Sequence, residues 1–180
     1  MTGPILDIAC AAGDFIAVKP EIIEGIDLDE DNLRRAREKG FRVKRIDIDK
    51  GEMSQLESNR YEGVMGGWII EHLDYPLEFL KEVRRVLKPG GTAVMLTPNI
   101  PYELDNFWDD YTHKRPFTKK ALKMIAYNAG FTDIKVSEDF RCLPGMGRLI
   151  RTFNISAELI GKIQRTFFIR GRSLILELKK

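Results

Sequence analysis

An α/β fold built on a parallel sheet is what this 180-residue sequence predicts, and two observations carry that reading. Short apolar runs of strand length alternate with stretches that carry helix caps and helical periodicity. Such alternation gives parallel strands joined by right-handed crossovers. Nor does any internal repeat, low-complexity segment or linker interrupt the pattern, so residues 1–180 read as one domain.

In chain order, Ile5 to Ile8 is a short buried strand that stops at small residues. Asp14 to Lys19 has room for one or two helical turns before Pro20. Ile22 to Asp27 is the second strand. Asp29 to Lys39 is a helix, acidic at its start and basic at its end, which Gly40 stops. Phe41 to Ile48 is the third strand, Asp49 to Arg60 a polar loop, and Tyr61 to Ile70 the fourth strand. Pro76 to Leu87 is the clearest helix, with Pro76 at a first helical position and Leu80, Val83 and Leu87 as its apolar stripe. Lys88-Pro89-Gly90-Gly91 ends it, and Thr92 to Leu96 is the fifth strand. Ile100 to Phe117 reads as a long aromatic, acidic loop, followed by a helix capped by Thr118 and closed by Gly130. Phe131 to Phe140 and Ser173 to Leu178 complete seven strands, with 141–171 between them expected to be helical in part.

A 43% hydrophobic, 31% charged composition is that of a soluble globular domain. With no apolar run long enough to span a bilayer and no signal peptide ahead of Ile5, the expected location is the cytoplasm. Cys10 and Cys142 suit a reducing compartment and have no metal-ligand spacing, so no metal is assigned. Charge is uneven: residues 141–180 hold nine basic side chains against Glu158 and Glu177, leaving the first 140 residues net acidic. That basic end is either a solvated face or a contact for an anionic partner or membrane surface.

Three strands carry acids, Asp7, Asp27 and Asp47, towards one sheet edge. An acid ending the second strand, about twenty residues after the first, is placed to accept from ribose hydroxyls. Between Ile8 and Asp14 the pattern is small-x-small-x-small, Ala9, Ala11 and Gly13, which lets backbone turn tightly and approach a ligand. A dinucleotide site wants a third glycine where Asp14 stands, and a carboxylate there repels a pyrophosphate. The pattern suits a ligand with a positive centre and an amino group; S-adenosylmethionine is such a ligand.

The motif Ile5-Leu6-Asp7-Ile8-Ala9-Cys10-Ala11-Ala12-Gly13 resembles the first motif of class I S-adenosylmethionine-dependent methyltransferases of the small-molecule type. Gly25-Ile26-Asp27-Leu28-Asp29 is similar to their second, and Tyr61 to Leu73 to their fourth strand and following turn. Arg85-Val86-Leu87-Lys88-Pro89-Gly90-Gly91 resembles their helix-to-strand passage. Thr97-Pro98-Asn99, His113 to Thr118 and Ala129-Gly130-Phe131 resemble a subset acting on glycans, lipids or quinone-like compounds. The resemblance implies a three-layer Rossmann-like sandwich, with a mostly parallel seven-stranded sheet and an antiparallel last strand. It implies a methyl transferred from S-adenosylmethionine to a small-molecule, glycan or lipid-linked acceptor. Asp7 and the turn Ala9, Cys10, Ala11 and Gly13 would hold the methionine end. Asp27 and Leu28 would take the ribose, Asp47 with the Ile48 amide would read adenine, and Gly66, Gly67 and Trp68 would flank the tail. For catalysis the candidates are His113 as a base, with Asp110 and Tyr111 orienting substrate; His72 reads as structural.

Alanine at positions 9 and 11 departs from the family's glycine, and the first helix is short. A cofactor-binding but inactive scaffold therefore stays open, as do a membrane-peripheral enzyme and, with no recognition motif to support it, a nucleic-acid methyltransferase. Loop 100–117, segment 141–171 or a second subunit would close the site.

Overall fold

A computed structural model of the chain describes residues 3–138 and 173–180. Its sheet has seven strands: β1 (Ile5–Ile8), β2 (Ile23–Asp27), β3 (Val43–Arg45), β4 (Tyr61–Gly67), β5 (Leu87–Pro98), β6 (Asp133–Glu138) and β7 (Ser173–Lys179). Their order is β3-β2-β1-β4-β5-β7-β6. The pairs from β3 through β5 are parallel, whereas β7 runs antiparallel between β5 and β6. Strand order reverses between β1 and β4, and the crevice beyond the carboxyl ends at such a point is where open α/β sheets bind ligands.

Helices α1 (Glu30–Glu38), α2 (Pro76–Val86), α3 (Ile100–Phe107) and α4 (Lys119–Asn128) complete the described chain. Two of them start on side-chain caps, Asp29 accepting from Asn32 N at 2.9 Å and Thr118 Oγ1 from Ala121 N at 3.2 Å. One face of β1, Leu6 and Ile8, joins the α2 stripe of Phe79, Leu80, Val83 and Val86 and the α4 residues Leu122 and Ala126 in the main core. A smaller core of Cys10, Ile16, Ile23 and Leu33 receives Ile5 and Phe41.

The expected helix at 14–19 is a 3-10 turn at Ile16–Val18. Strand β4 ends at Gly67, short of Ile70, because Trp68 turns to φ 51° and the chain enters a 3-10 turn at Ile70–His72. Strand β3 is only three residues, since just Val43 to Arg45 pair with β2. Strand β5 begins early, at Leu87, which pairs with Tyr61 across a register shift. Within the expected loop 100–117 lies α3, opened by Pro101 in its first turn and anchored by buried Phe107. Segment 141–171, with most of the basic end, lies outside the described residues. No described helix is long and apolar enough to cross a membrane.

The Arg85 motif proves to be a clamp. The Arg85 guanidinium donates to Met53 O and Leu56 O, both at 2.8 Å, to Ser58 Oγ at 2.8 Å, and to the Glu82 carboxylate. It thereby pins the segment after β3 that shapes one wall of the site described next.

Candidate functional site

Beyond Ile8 the chain makes a turn that most residues avoid. Ala9 and Ala11 lie at φ 58° and 45°, in the left-handed region, and Gly13 at 84°. An L-residue there costs about 1 kcal/mol or more relative to glycine. The turn is held by its neighbours: Cys10 N donates to Ile26 O at 3.1 Å, and Ala11 N donates to Asp27 Oδ2 at 2.8 Å. The other Asp27 oxygen accepts from Asp29 N at 2.8 Å. Asp27 thus joins the β1 turn to the start of α1. Ala11→Gly should raise the urea midpoint by an amount equivalent to about 1 kcal/mol, with the slope unchanged.

Two turn residues serve packing through their side-chain positions. Cys10 packs its thiol over Gly25, and burial followed by the charges of Asp7 and Asp27 pushes that thiol up to about 12. At Gly13 a Cβ would meet the Phe41 ring at 2.5 Å, so its smallness and positive φ serve the small core. Gly66 is kept small by the main core, where a Cβ would meet Met95 Sδ at 2.7 Å.

Asp7 is 5% exposed beneath the turn. Burial, with the Asp27 charge second, pushes its carboxyl up to about 7. Asp47, just past β3, accepts from Lys50 N at 3.3 Å, and its own amide donates to Glu52 at 2.8 Å.

A cavity of about 470 Å³ opens at this edge. Ala9, Asp27 and Leu28 form one side, Asp47, Ile48 and Asp49 another, and Ile69, His72, Leu73, Tyr111, Thr112 and Lys114 the remainder. The structure so brings Ala9, Asp27, Leu28, Asp47, Ile48 and Tyr111 together. Asp7, Cys10, Ala11, Gly13, Gly66, Gly67, Trp68, Asp110 and His113 are not in its lining.

His113 stands one layer behind. Its ring stacks on Phe107 at 4.3 Å and meets the His72 ring at 4.6 Å. Its Nδ1 donates to Phe107 O at 2.6 Å, and its Nε2 lies 3.9 Å from Asp110 Oδ2. The imidazole at the wall is His72, which the sequence reading gave a structural role. Desolvation, with His113 second, lowers its pKa. Beside it Glu71 is fully buried, and burial pushes its carboxyl up to about 7. Thr97 Oγ1 lies near enough to Glu71 to favour the ionised form, yet outside hydrogen-bond geometry. Sequence reasoning missed Glu71 as a site residue; a glutamate next to histidine just after a strand was the available signal.

Residues 6–95 match the family model described as a methyltransferase domain. The chain belongs to this methyltransferase-domain family. A Staphylococcus aureus protein named demethylmenaquinone methyltransferase is 33% identical over 104 residues, covering 53% of this chain and 43% of the relative. The aligned part therefore spans less than half of that curated relative. Among solved structures, a methyltransferase from Archaeoglobus fulgidus, described as dependent on S-adenosylmethionine, is 26% identical with a TM-score of 0.76, covering 99% of this chain and 86% of that one. Phosphoethanolamine N-methyltransferase 2 from Haemonchus contortus, solved in complex with S-adenosyl-L-methionine, shares the fold at 19% identity and a TM-score of 0.68, over 99% of this chain and 49% of that one. For a methyltransferase-domain chain the crevice at the β1/β4 reversal is the expected ligand site, and the cavity is there.

Proposed function

We propose that this domain binds S-adenosylmethionine in the cavity at the carboxyl edge and moves its methyl group to a small-molecule acceptor. The observation that carries the reading is the cavity's make-up: Asp27 and Asp47 set among Ile26, Leu28, Ile46, Ile48, Ile69 and Leu73. An apolar lining that carries carboxylates fits a purine and its ribose. Among the described residues the lining holds Asp27, Asp47 and Asp49 against Lys114, a balance that disfavours a diphosphate.

In this reading Asp27 accepts from the ribose hydroxyls with the lone pairs its two backbone donors leave free. Asp47 and the Ile48 amide take the adenine edge, and Asp7 attracts the ammonium of the amino-acid end. When bound, the cofactor supplies a methyl group on a positively charged sulfur that needs no acid to leave. The chain's own task is to align an acceptor and keep water out. Tyr111, 96% exposed at the rim, with Trp108 and Leu104 on the same segment, offers apolar surface to an acceptor. Those side chains favour an acceptor with an aromatic or long apolar part, a class to which the menaquinone named for the curated relative belongs. His113 is braced between Phe107 and His72, one layer behind the wall, and its Nε2 carries the lone pair that a base needs.

The test is label transfer from methyl-labelled S-adenosylmethionine to a panel containing a demethylated isoprenoid quinone, phosphoethanolamine and a glycan. Label in the quinone product supports the reading; retention of all label by a protein that binds the cofactor removes the catalytic claim. His113→Ala should lower turnover about 100-fold and leave cofactor affinity within about threefold. Equal losses in both would return His113 to a bracing role.

A further inference from the structure

We propose that Glu71, His72 and His113 form a binding site for a first-row divalent cation, with Zn²⁺ as its representative. Three observations converge on it. One donor atom from each side chain lies within 4.8 Å of the others. Neither oxygen of the Glu71 carboxylate, in a fully buried residue, makes a hydrogen bond among the described residues. A buried carboxylate without a donor is costly, and a cation is a partner that removes the cost.

The third observation is how the imidazoles are held. His113 Nδ1 faces the Phe107 carbonyl, which can only accept, so Nδ1 carries the proton. Thr112 Oγ1 gives its one proton to Asp110 Oδ1 at 2.6 Å and lies 2.9 Å from His72 Nδ1. The Thr112 hydroxyl must therefore accept there, and His72 Nδ1 is also protonated. Both histidines are left with bare Nε2 lone pairs. Ligating imidazoles are oriented this way, the far N–H given to a carbonyl or a hydrogen-bonded oxygen. Two imidazoles and a carboxylate are the donor set of open zinc sites, which keep a position for water or substrate. Donors around a tetrahedral Zn²⁺ stand about 3.4 Å apart, so the side chains would close by at most about 1.4 Å. Lys114, the nearby cation, is already paired with Asp74 at 2.7 Å and Asp49 at 3.4 Å.

Because His72 also lines the cavity, the ion would sit at its wall. An oxygen of the acceptor would take the open position. That use rests on the methyl-transfer reading; the binding of the ion does not. With the ion in place, His113 Nε2 is a ligand and no longer a base.

The 180-residue chain, treated with chelator and titrated with Zn²⁺ by calorimetry, should bind one equivalent, and Co²⁺ should give the visible bands of a four- or five-coordinate site. Glu71→Gln and His113→Gln should each weaken binding at least 100-fold, and Thr112→Val about 10-fold, through the His72 tautomer. Each variant should keep a cooperative melt, and Glu71→Gln and His113→Gln, which lie outside the cavity lining, should keep S-adenosylmethionine affinity within threefold. If Glu71→Gln does not fold, Thr112→Val and His113→Gln decide. Absence of saturable binding, or Zn²⁺ binding that survives these substitutions, overturns the site. Cofactor binding without Zn²⁺ binding sinks the cation site alone, whereas Zn²⁺ binding without cofactor binding sinks the methyl-transfer reading alone.

Discussion

Replacing Asp27 with alanine is expected to weaken S-adenosylmethionine binding by about 100-fold or more. Two charge-assisted hydrogen bonds to a ribose, at about 1.5 kcal/mol or more each, account for a loss of that size. The damage should not stop at the missing ligand contacts. Asp27 Oδ2 is the acceptor for Ala11 N and Oδ1 for Asp29 N, so alanine strips both amides of their partner. The β1 turn, already holding two alanines at positive φ, would then relax towards a conformation that no longer fits the cofactor. Asp27→Asn sharpens the test. Its side-chain oxygen can keep one backbone donor while its NH₂ faces the other, so its affinity should fall nearly as far as that of alanine. Calorimetry on wild type and both variants measures this, and unchanged affinity would move the ribose contact elsewhere.

Asp7→Asn should make the ligand-free protein more stable and the complex weaker. Burial raises the Asp7 carboxyl from an ordinary 3.8 to about 7, so the folded chain holds a proton that the unfolded chain has lost. Its contribution to stability is therefore fully present below about pH 4, falls as pH rises through 7, and is flat above. At 1.36 kcal/mol per pKa unit the penalty above pH 7 is at most about 4 kcal/mol. Asparagine cannot ionise, so the variant should gain on wild type in urea midpoint between pH 4 and pH 8 and show little difference at pH 4. Cofactor affinity should move the other way, about 10-fold weaker at pH 8, because an ammonium loses its counter-charge. A stabilised protein with a weaker site is the signature of a group kept for its ligand. A variant less stable than wild type at pH 8 would make Asp7 a structural acid.

Much of this edge was legible before any coordinates. Asp27 and Asp47 announce themselves by position, because an acid ending an apolar run in an alternating α/β chain has only the sheet edge to occupy. The Thr118 cap and the Leu80 and Val83 part of the α2 stripe follow from local chemistry and appear where expected, whereas Leu87 belongs to β5 and Asp29, expected inside its helix, caps it. What sequence could not give was which neighbour a small residue serves. Gly13 and Gly66 read as clearance for a ligand, yet the space beside each is filled by Phe41 and Met95, residues 28 or more positions away. Cys10 likewise turns its thiol into the small core. Helix α3 was hidden because Tyr102, Asp105 and Asn106 are poor helix formers, and Phe107 reveals its core role only once the helix docks. The pairing of His72 with His113 needs a contact across forty residues, which no local pattern carries. The two alanines, by contrast, were suspect from sequence, and the structure gives the physical form of the suspicion as positive φ at both.

The most direct test of the whole account is calorimetric titration of the full chain with S-adenosylmethionine and, separately, with NAD. The predicted result is one S-adenosylmethionine site per chain, competed by S-adenosylhomocysteine, with no heat of binding from NAD. Saturable NAD binding by a chain that ignores S-adenosylmethionine would contradict it.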